Sequence, residues 1–445
     1  MTTGAPPTPG TPKKLLVAAL IASSIEWYDF FIYATAAALV FGHLFFPGAS
    51  PLIGVLLSFA TFWAGFIARP LGGLVFGHLG DKVGRKPAVV TCLIMMGTAT
   101  FLIGVLPGAA TIGVAAPVLL VALRFLQGIA VGGQWGGIVL LLTENAGRQR
   151  RGMAGTFGQM GVPLGVILGN VVFLAVGALV SPAAFQEWGW RIPFLASAVL
   201  APVVLFIQLK IEDTPVFREL QERKAEQDQQ VVRAPLVEVL RTRKRTVLLG
   251  AGLLFATNSI FYISISGLLD YGTRELGMPR QTLLAVSLVS SLVGVFVIFF
   301  SGALSDRWGR RPLILVGAGL LAVWAFPFFW LVDTATVLGV AVAATVGSIG
   351  SSLTYGPLAA YLSELFEPRV RYSGASLAYQ LAAILVSGGT PFIMTALLAA
   401  TGSSASVSAY LLLMGLCTLA SALLLRETRP QPTPSPHPHR AVTEQ

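Results

Sequence analysis

The sequence predicts an all-α polytopic membrane protein, with twelve transmembrane helices in two pseudo-symmetric six-helix bundles. Three observations carry that prediction. The 445 residues are 55% hydrophobic and 11% charged, with a mean hydropathy of +0.76. A soluble domain carries about 25% charged residues, so this chain cannot wet the surface of a large globule. Apolar runs of about 20 residues recur from end to end; as helices each spans roughly 30 Å and satisfies its own backbone in lipid. Finally, GHLGDKVGRKP (77–87) recurs as GALSDRWGRRP (302–312), 225 residues on, after the second span of each half.

In chain order, residues 1–14 (MTTGAPPTPGTPKK) form a Pro-rich, then basic, cytoplasmic tail. The apolar run that follows is long and has no small-residue cleavage site, so it reads as a retained first span and not as a signal peptide. Spans are expected at 15–41, 52–76, 87–106, 116–142, 153–180 and 190–209, which form a first bundle over 15–209. A charged, Gln-rich cytoplasmic linker occupies 210–246. The second bundle covers 247–425, with spans at 247–270, 281–304, 313–332, 336–362, 373–400 and 406–425. Residues 426–445 are Pro-rich and read as a disordered cytoplasmic tail. A weaker echo pairs LLTENAGRQRRGMAG (141–155) with YLSELFEPRVRYSGAS (361–376).

With the N-terminus inside, 25 of the 30 Lys and Arg fall in inner segments. The positive-inside rule then puts both termini in the cytoplasm of a multi-pass cell-membrane protein. That asymmetry accounts for the net charge of +10 without any nucleic-acid surface. Cys92 and Cys417 both lie in apolar runs and read as packing residues.

The twice-repeated G-x-x-x-D-K/R-x-G-R-K/R resembles the signature loop of the major facilitator superfamily. EWYDFFIYATAAALVF, ARPLGGLVFGHLGDKVGRK, LRFLQGIAVGGQWGG, WGWRIPFLASAVL, IEDTPVFREL and ELFEPRVRYSGASLAYQ further resemble its metabolite:proton symporter branch. That branch includes shikimate, α-ketoglutarate and proline/betaine permeases, and this chain is nearest to the shikimate type. The resemblance covers residues 15–428. It implies the major facilitator fold, with spans one, four, seven and ten lining a central cavity, and a loop cluster that latches the cytoplasmic ends of the bundles. In span four the branch usually reads GGEWGGA, whereas here Gln134 and Ile138 stand in GGQWGGI. An osmosensing coiled-coil tail, as in proline/betaine relatives, is not expected.

Ionisable residues within spans are candidates for function, because each needs a partner or a wet cavity. In span one Glu26, Asp29 and Tyr33 fall at i, i+3 and i+7, on one face expected to look into the cavity. In span four Arg124, Gln127 and Gln134 share a sector. Asp29, Glu26 and Arg124 are the proton-coupling candidates, with Asp29 and Arg124 at overlapping depths for an ion pair. Arg124, Tyr33, Gln127, Gln134, Asn258, Tyr262, Tyr355, Tyr379 and Gln380 are the candidates for touching a polar solute. Each could equally bond helix to helix. Arg69 is expected to snorkel to the inner interface or tie down the repeated loop.

The gating candidates are Gly77, Asp81, Gly84, Arg85 and Lys86 in the first copy. Gly302, Asp306, Gly309, Arg310 and Arg311 are their counterparts in the second. Glycines permit close turns, and the Asp can cap a helix or pair with the cations that follow. The chain shows no nucleophile–base or metal cluster, so no enzyme activity is expected. The expected role is proton-coupled uptake of a small organic acid by alternating access. Uptake of a zwitterionic osmolyte or amino acid is the alternative, ahead of efflux by proton antiport or a transport-derived receptor. No cofactor is expected beyond the coupling protons, and no partner beyond a small-molecule substrate and the lipid bilayer. A functional monomer is expected.

Overall fold

A computed structural model describes residues 13–83, 85–132, 142–143, 146, 149–212, 239, 241–367 and 370–429. Eleven helices among them are long and apolar enough to cross a membrane, and a shorter apolar one, Val90–Val105, fills the remaining place in the order. In the first half they are α1 (Leu16–Phe45), α2 (Pro51–Phe76), α3 (Val90–Val105), α4 (Ala115–Gly132), α5 (Arg151–Leu179) and α6 (Gly189–Phe206). In the second they are α7 (Lys244–Arg274), α8 (Arg280–Trp308), α9 (Arg310–Val332), α10 (Val337–Leu365), α11 (Ser373–Thr401) and α12 (Ala405–Leu424). α1 and α7 are the most enclosed, with 78% and 67% of their apolar windows buried, so they sit innermost in the two bundles.

Within the first bundle, α2 and α4 approach until backbone meets backbone. A Cβ on Gly128 would lie 1.9 Å from the Gly65 carbonyl oxygen, and one on Gly132 would lie 1.8 Å from that of Arg69. Helices that gain nothing from hydrophobic exclusion associate through such small residues four apart.

Both copies of the repeated motif are more helical than a loop. Gly77 and Asp81 lie on the extension of α2, which stays helical through Val83, and Arg85 and Lys86 open the helix that contains α3. Gly84 lies outside the described residues, and the side chains of the first copy are not described. In the second copy Gly302 and Asp306 belong to the helix Arg280–Trp308, and Arg310 and Arg311 start the next. Gly309 alone breaks the two, at φ 104°, a conformation that suits glycine. The turn is this short because Glu427 caps the new helix, its carboxylate accepting from the Arg310 and Arg311 amides at 2.9 Å each.

Three helices contain one π-helical turn: Ala37–Phe41 in α1, Ile263–Gly267 in α7 and Ala383–Ser387 in α11. The first two are 226 residues apart, within one residue of the displacement of the repeated motif.

Candidate functional site

A cavity of about 50 Å³ lies between the halves. Its second-half wall comes from α7, α8, α10 and α11 and is rich in hydroxyls: seven serines, Thr257 and the phenols of Tyr262, Tyr355 and Tyr379. The first half contributes Trp27 of α1, Arg69 of α2, and Val162 and Pro163 of α5.

Bonds between the halves, most of them from α5 to α8, lie on both sides of the cavity. Toward the repeated motif, the Asp306 carboxylate accepts from the Gly152 and Met153 amides at 2.8 and 2.9 Å, capping the start of α5 from across the interface. Arg310 neutralises the same carboxylate at 2.6 Å and faces Glu364 at 3.4 Å. Gly152 has no room for a Cβ, which would sit 2.4 Å from the Gly302 carbonyl oxygen. At the opposite end Asn170 donates to Ser287 at 3.0 Å, Gln281 donates to the Gly177 carbonyl at 3.2 Å, and Arg280 covers the Phe185 ring at 3.7 Å. Beside the cavity, Trp63 of α2 donates to the Ile384 carbonyl in the π turn of α11 at 2.8 Å.

Arg69 departs most from expectation. It does not snorkel: it is 1% exposed and lines the cavity. Trp27, Phe30, Phe66 and Tyr379 surround its guanidinium with ring centroids at 5.5–6.0 Å. Its Nε and Nη2 have no hydrogen-bond partner. The helix continues to Val83, 14 residues beyond Arg69, which at 1.5 Å per residue is roughly 21 Å from the helix end.

The stripe on α1 also turns away from the cavity. Trp27 is the α1 residue that lines it. Asp29 is buried, and its Oδ1 has no hydrogen-bond partner. Tyr33 bonds Thr61 of α2 at 2.6 Å. Neighbouring Tyr28 donates to the Pro193 carbonyl at 2.6 Å, and Ser23 donates to the Gly158 carbonyl at 3.1 Å. Phe31 packs against Phe261 and Tyr262 of the second half. Bulky aromatics thus occupy the inter-bundle side of α1, and the carboxylates face their own bundle.

The expected Asp29–Arg124 ion pair is not formed. Arg124 is 0% exposed, donates to Gln127 Oε1 at 3.0 Å, and lies 3.9, 4.3 and 4.7 Å from the Phe30, Tyr33 and Phe62 centroids. Gln127 donates onward to Thr100 at 2.7 Å. Gly65 makes room for the guanidinium, since a Cβ there would sit 2.7 Å from Arg124 Nε.

Of the solute candidates, Asn258, Tyr262, Tyr355 and Tyr379 line the cavity. Asn258 donates to Ser387 at 2.7 Å, and the Tyr355 and Tyr379 hydroxyls are 3.3 Å apart. Arg124, Tyr33 and Gln127 belong to the interior of the first bundle. Gln380 is buried with neither amide atom bonded and does not line the cavity. Gln134 lies outside the described residues. Among the described residues α2, α5, α8 and α11 contribute to the wall and α4 does not, so more helices surround the cavity than the four expected. Sequence reasoning ranked snorkelling or loop anchoring above ligand contact for Arg69, and passed over Trp27 and Ser291 as cavity residues. The Ser290–Ser291 pair inside the most apolar span was the one signal available for the last.

The family model for the Major Facilitator Superfamily matches residues 19–390. The chain is 40% identical to the inner membrane metabolite transport protein YhjE of Escherichia coli, over 94% of this chain and 95% of that one. It is 35% identical to the Escherichia coli shikimate transporter, over 94% and 95%. With the Escherichia coli proline/betaine transporter it shares 32%, over 94% and 84%. In fold it is similar to the xylose transporter XylE from Escherichia coli, captured partially occluded and inward open, with a TM-score of 0.72 at 16% identity over 94% and 99% of the two chains. Spans, repeat and these matches agree: the chain belongs to the Major Facilitator Superfamily and is a multi-pass membrane transporter of metabolites, not an enzyme.

Proposed function

We propose that the protein is a secondary active transporter that takes up a small polar organic acid together with protons, by alternating access, across the inner membrane with both termini in the cytoplasm. One observation carries the reading: a polar cavity between the halves, containing a guanidinium, is bracketed at both ends by α5–α8 bonds. Breaking one set while keeping the other would expose the cavity to one side at a time. The relatives' names support the substrate side, because shikimate is an organic acid. Asp29 is the proton carrier in this reading, being a buried carboxyl with an oxygen that no protein group bonds; Glu26, one turn away, adjusts its field. The chain acts as a monomer, since one chain builds the whole cavity.

The test is uptake into proteoliposomes of labelled shikimate, α-ketoglutarate, proline and betaine, with and without an inward proton gradient. Gradient-driven accumulation of an acid is expected, and Asp29→Asn should abolish it while leaving counterflow exchange measurable. Accumulation indifferent to the gradient, or of proline or betaine alone, would overturn the proposal.

A further inference from the structure

The two walls of the cavity differ in chemistry, and together they describe a ligand. We infer that the site is built for a singly charged, multiply hydroxylated carboxylic acid, with its carboxylate on Arg69 and its hydroxyls on the wall made by α7, α8 and α10. The inference rests on the cavity being the transport site.

Arg69 is the one cation among the described residues that line the cavity. It has buried N–H groups without partners and no carboxylate against it. A guanidinium offers a fork of donors matched to a carboxylate, so this is a receptor for one anionic group. A dianion would place its second charge among hydroxyls alone.

A zwitterion fits no better, because no acidic residue lines the cavity among the described residues. Nor is an ammonium favoured on the Trp27 and Tyr379 faces, which already flank the Arg69 guanidinium and would hold two like charges side by side.

The opposite wall asks for hydroxyls. Among the described residues, the side-chain hydroxyls of Ser291, Ser352 and Tyr262 line the cavity and have no protein partner. Asn258 spends its amide N–H on Ser387 and keeps its carbonyl as an acceptor. A bare hydrocarbon acid would leave these groups unpaired. A polyol acid satisfies them, because each of its hydroxyls both donates and accepts. Each hydroxyl removed from the ligand should therefore weaken binding by roughly 2- to 12-fold.

Isothermal titration of the purified full-length chain tests this with six probes: shikimate, gluconate, shikimate methyl ester, 1-cyclohexene-1-carboxylate, succinate and proline. Shikimate or gluconate should bind. The uncharged ester should not, the ring acid without hydroxyls should bind at least about tenfold more weakly than shikimate, and succinate and proline should give no heat. Arg69→Gln should abolish binding of the hydroxy acids. Ser352→Ala, a change too small to threaten folding, should weaken it by roughly 2- to 12-fold at an unchanged melting temperature. Binding of succinate ahead of both hydroxy acids overturns this substrate class, yet leaves the organic-acid reading intact if succinate accumulates in proteoliposomes; binding of proline ahead of both, with accumulation of proline alone, overturns both. Equal binding of the ester and the acid, full affinity in Ser352→Ala, or binding of none of the six also overturns it. Only the liposome experiment decides whether the proton-coupled reading falls as well.

Discussion

Arg69 and Arg124 are two buried arginines in one bundle, on adjacent helices, sharing the ring of Phe30 between them. Neither has a carboxylate partner among the described residues. Their surroundings nonetheless differ in degree of completion. Arg124 has three rings at 3.9–4.7 Å and the carbonyl of Gln127, although its Nε and Nη2, like those of Arg69, have no hydrogen-bond partner. Arg69 has four rings no nearer than 5.5 Å, and a cavity. A cation–π contact contributes about 0.5–2 kcal/mol, whereas removing an ion from water costs several. Three close contacts and a charge-assisted hydrogen bond go far toward offsetting that cost for Arg124. The distant rings around Arg69 leave a deficit that an anion could remove. A buried cation is thus a packing piece where rings close tightly around it and a receptor where it borders a cavity.

The seam that positions both arginines is the place to break the comparison hardest. Gly128→Ala drives a methyl into the Gly65 backbone, and because backbone cannot rotate aside the expected result is loss of the monodisperse folded protein on size-exclusion chromatography. Gly65→Ala should be milder and selective. It crowds the Arg124 guanidinium, so a destabilisation of about 1–3 kcal/mol is expected in thermal or denaturant unfolding, with ligand affinity retained. Phe30→Leu removes the shared ring and should cost about 1–2 kcal/mol of stability, with the loss falling mainly on Arg124, whose contact is shorter. Smallest of all, Arg124→Met exchanges a buried ion for a hydrophobe of similar length. Its melting temperature should stay level or rise, since such replacements are often neutral or stabilising. A collapse in hydroxy-acid binding in Arg124→Met would show that the two arginines form one site and erase the distinction.

Much of this was legible in the sequence. Composition and the displaced motif specify twelve spans in two halves, and the polar residues picked out within the spans include Asn258, Tyr262, Tyr355 and Tyr379, which line the cavity. What spacing cannot supply is the neighbour a face will meet. Glu26, Asp29 and Tyr33 do share a side of α1, but the aromatics Trp27 and Phe31 claim the inter-bundle side and turn that stripe inward. Arg69 was misplaced for another reason. Depth was counted from the end of the apolar run, while the helix carries on through GHLGDKV to Val83 and puts the residue deep in the structure. The partnering of Asp306 with the start of α5 was invisible too, because the groups it caps are backbone amides some 150 residues away in the chain.

The π turns of α1 and α7 carry one more consequence. Each holds one residue beyond what an α turn would use, and returning it to the α-helix would rotate everything past it by about 100°. The two sit at equivalent addresses in the repeat and touch one another. Each half therefore keeps a single residue of slack in its innermost helix, in the same helical phase. A re-indexing of one can be answered by the other without a helix being broken.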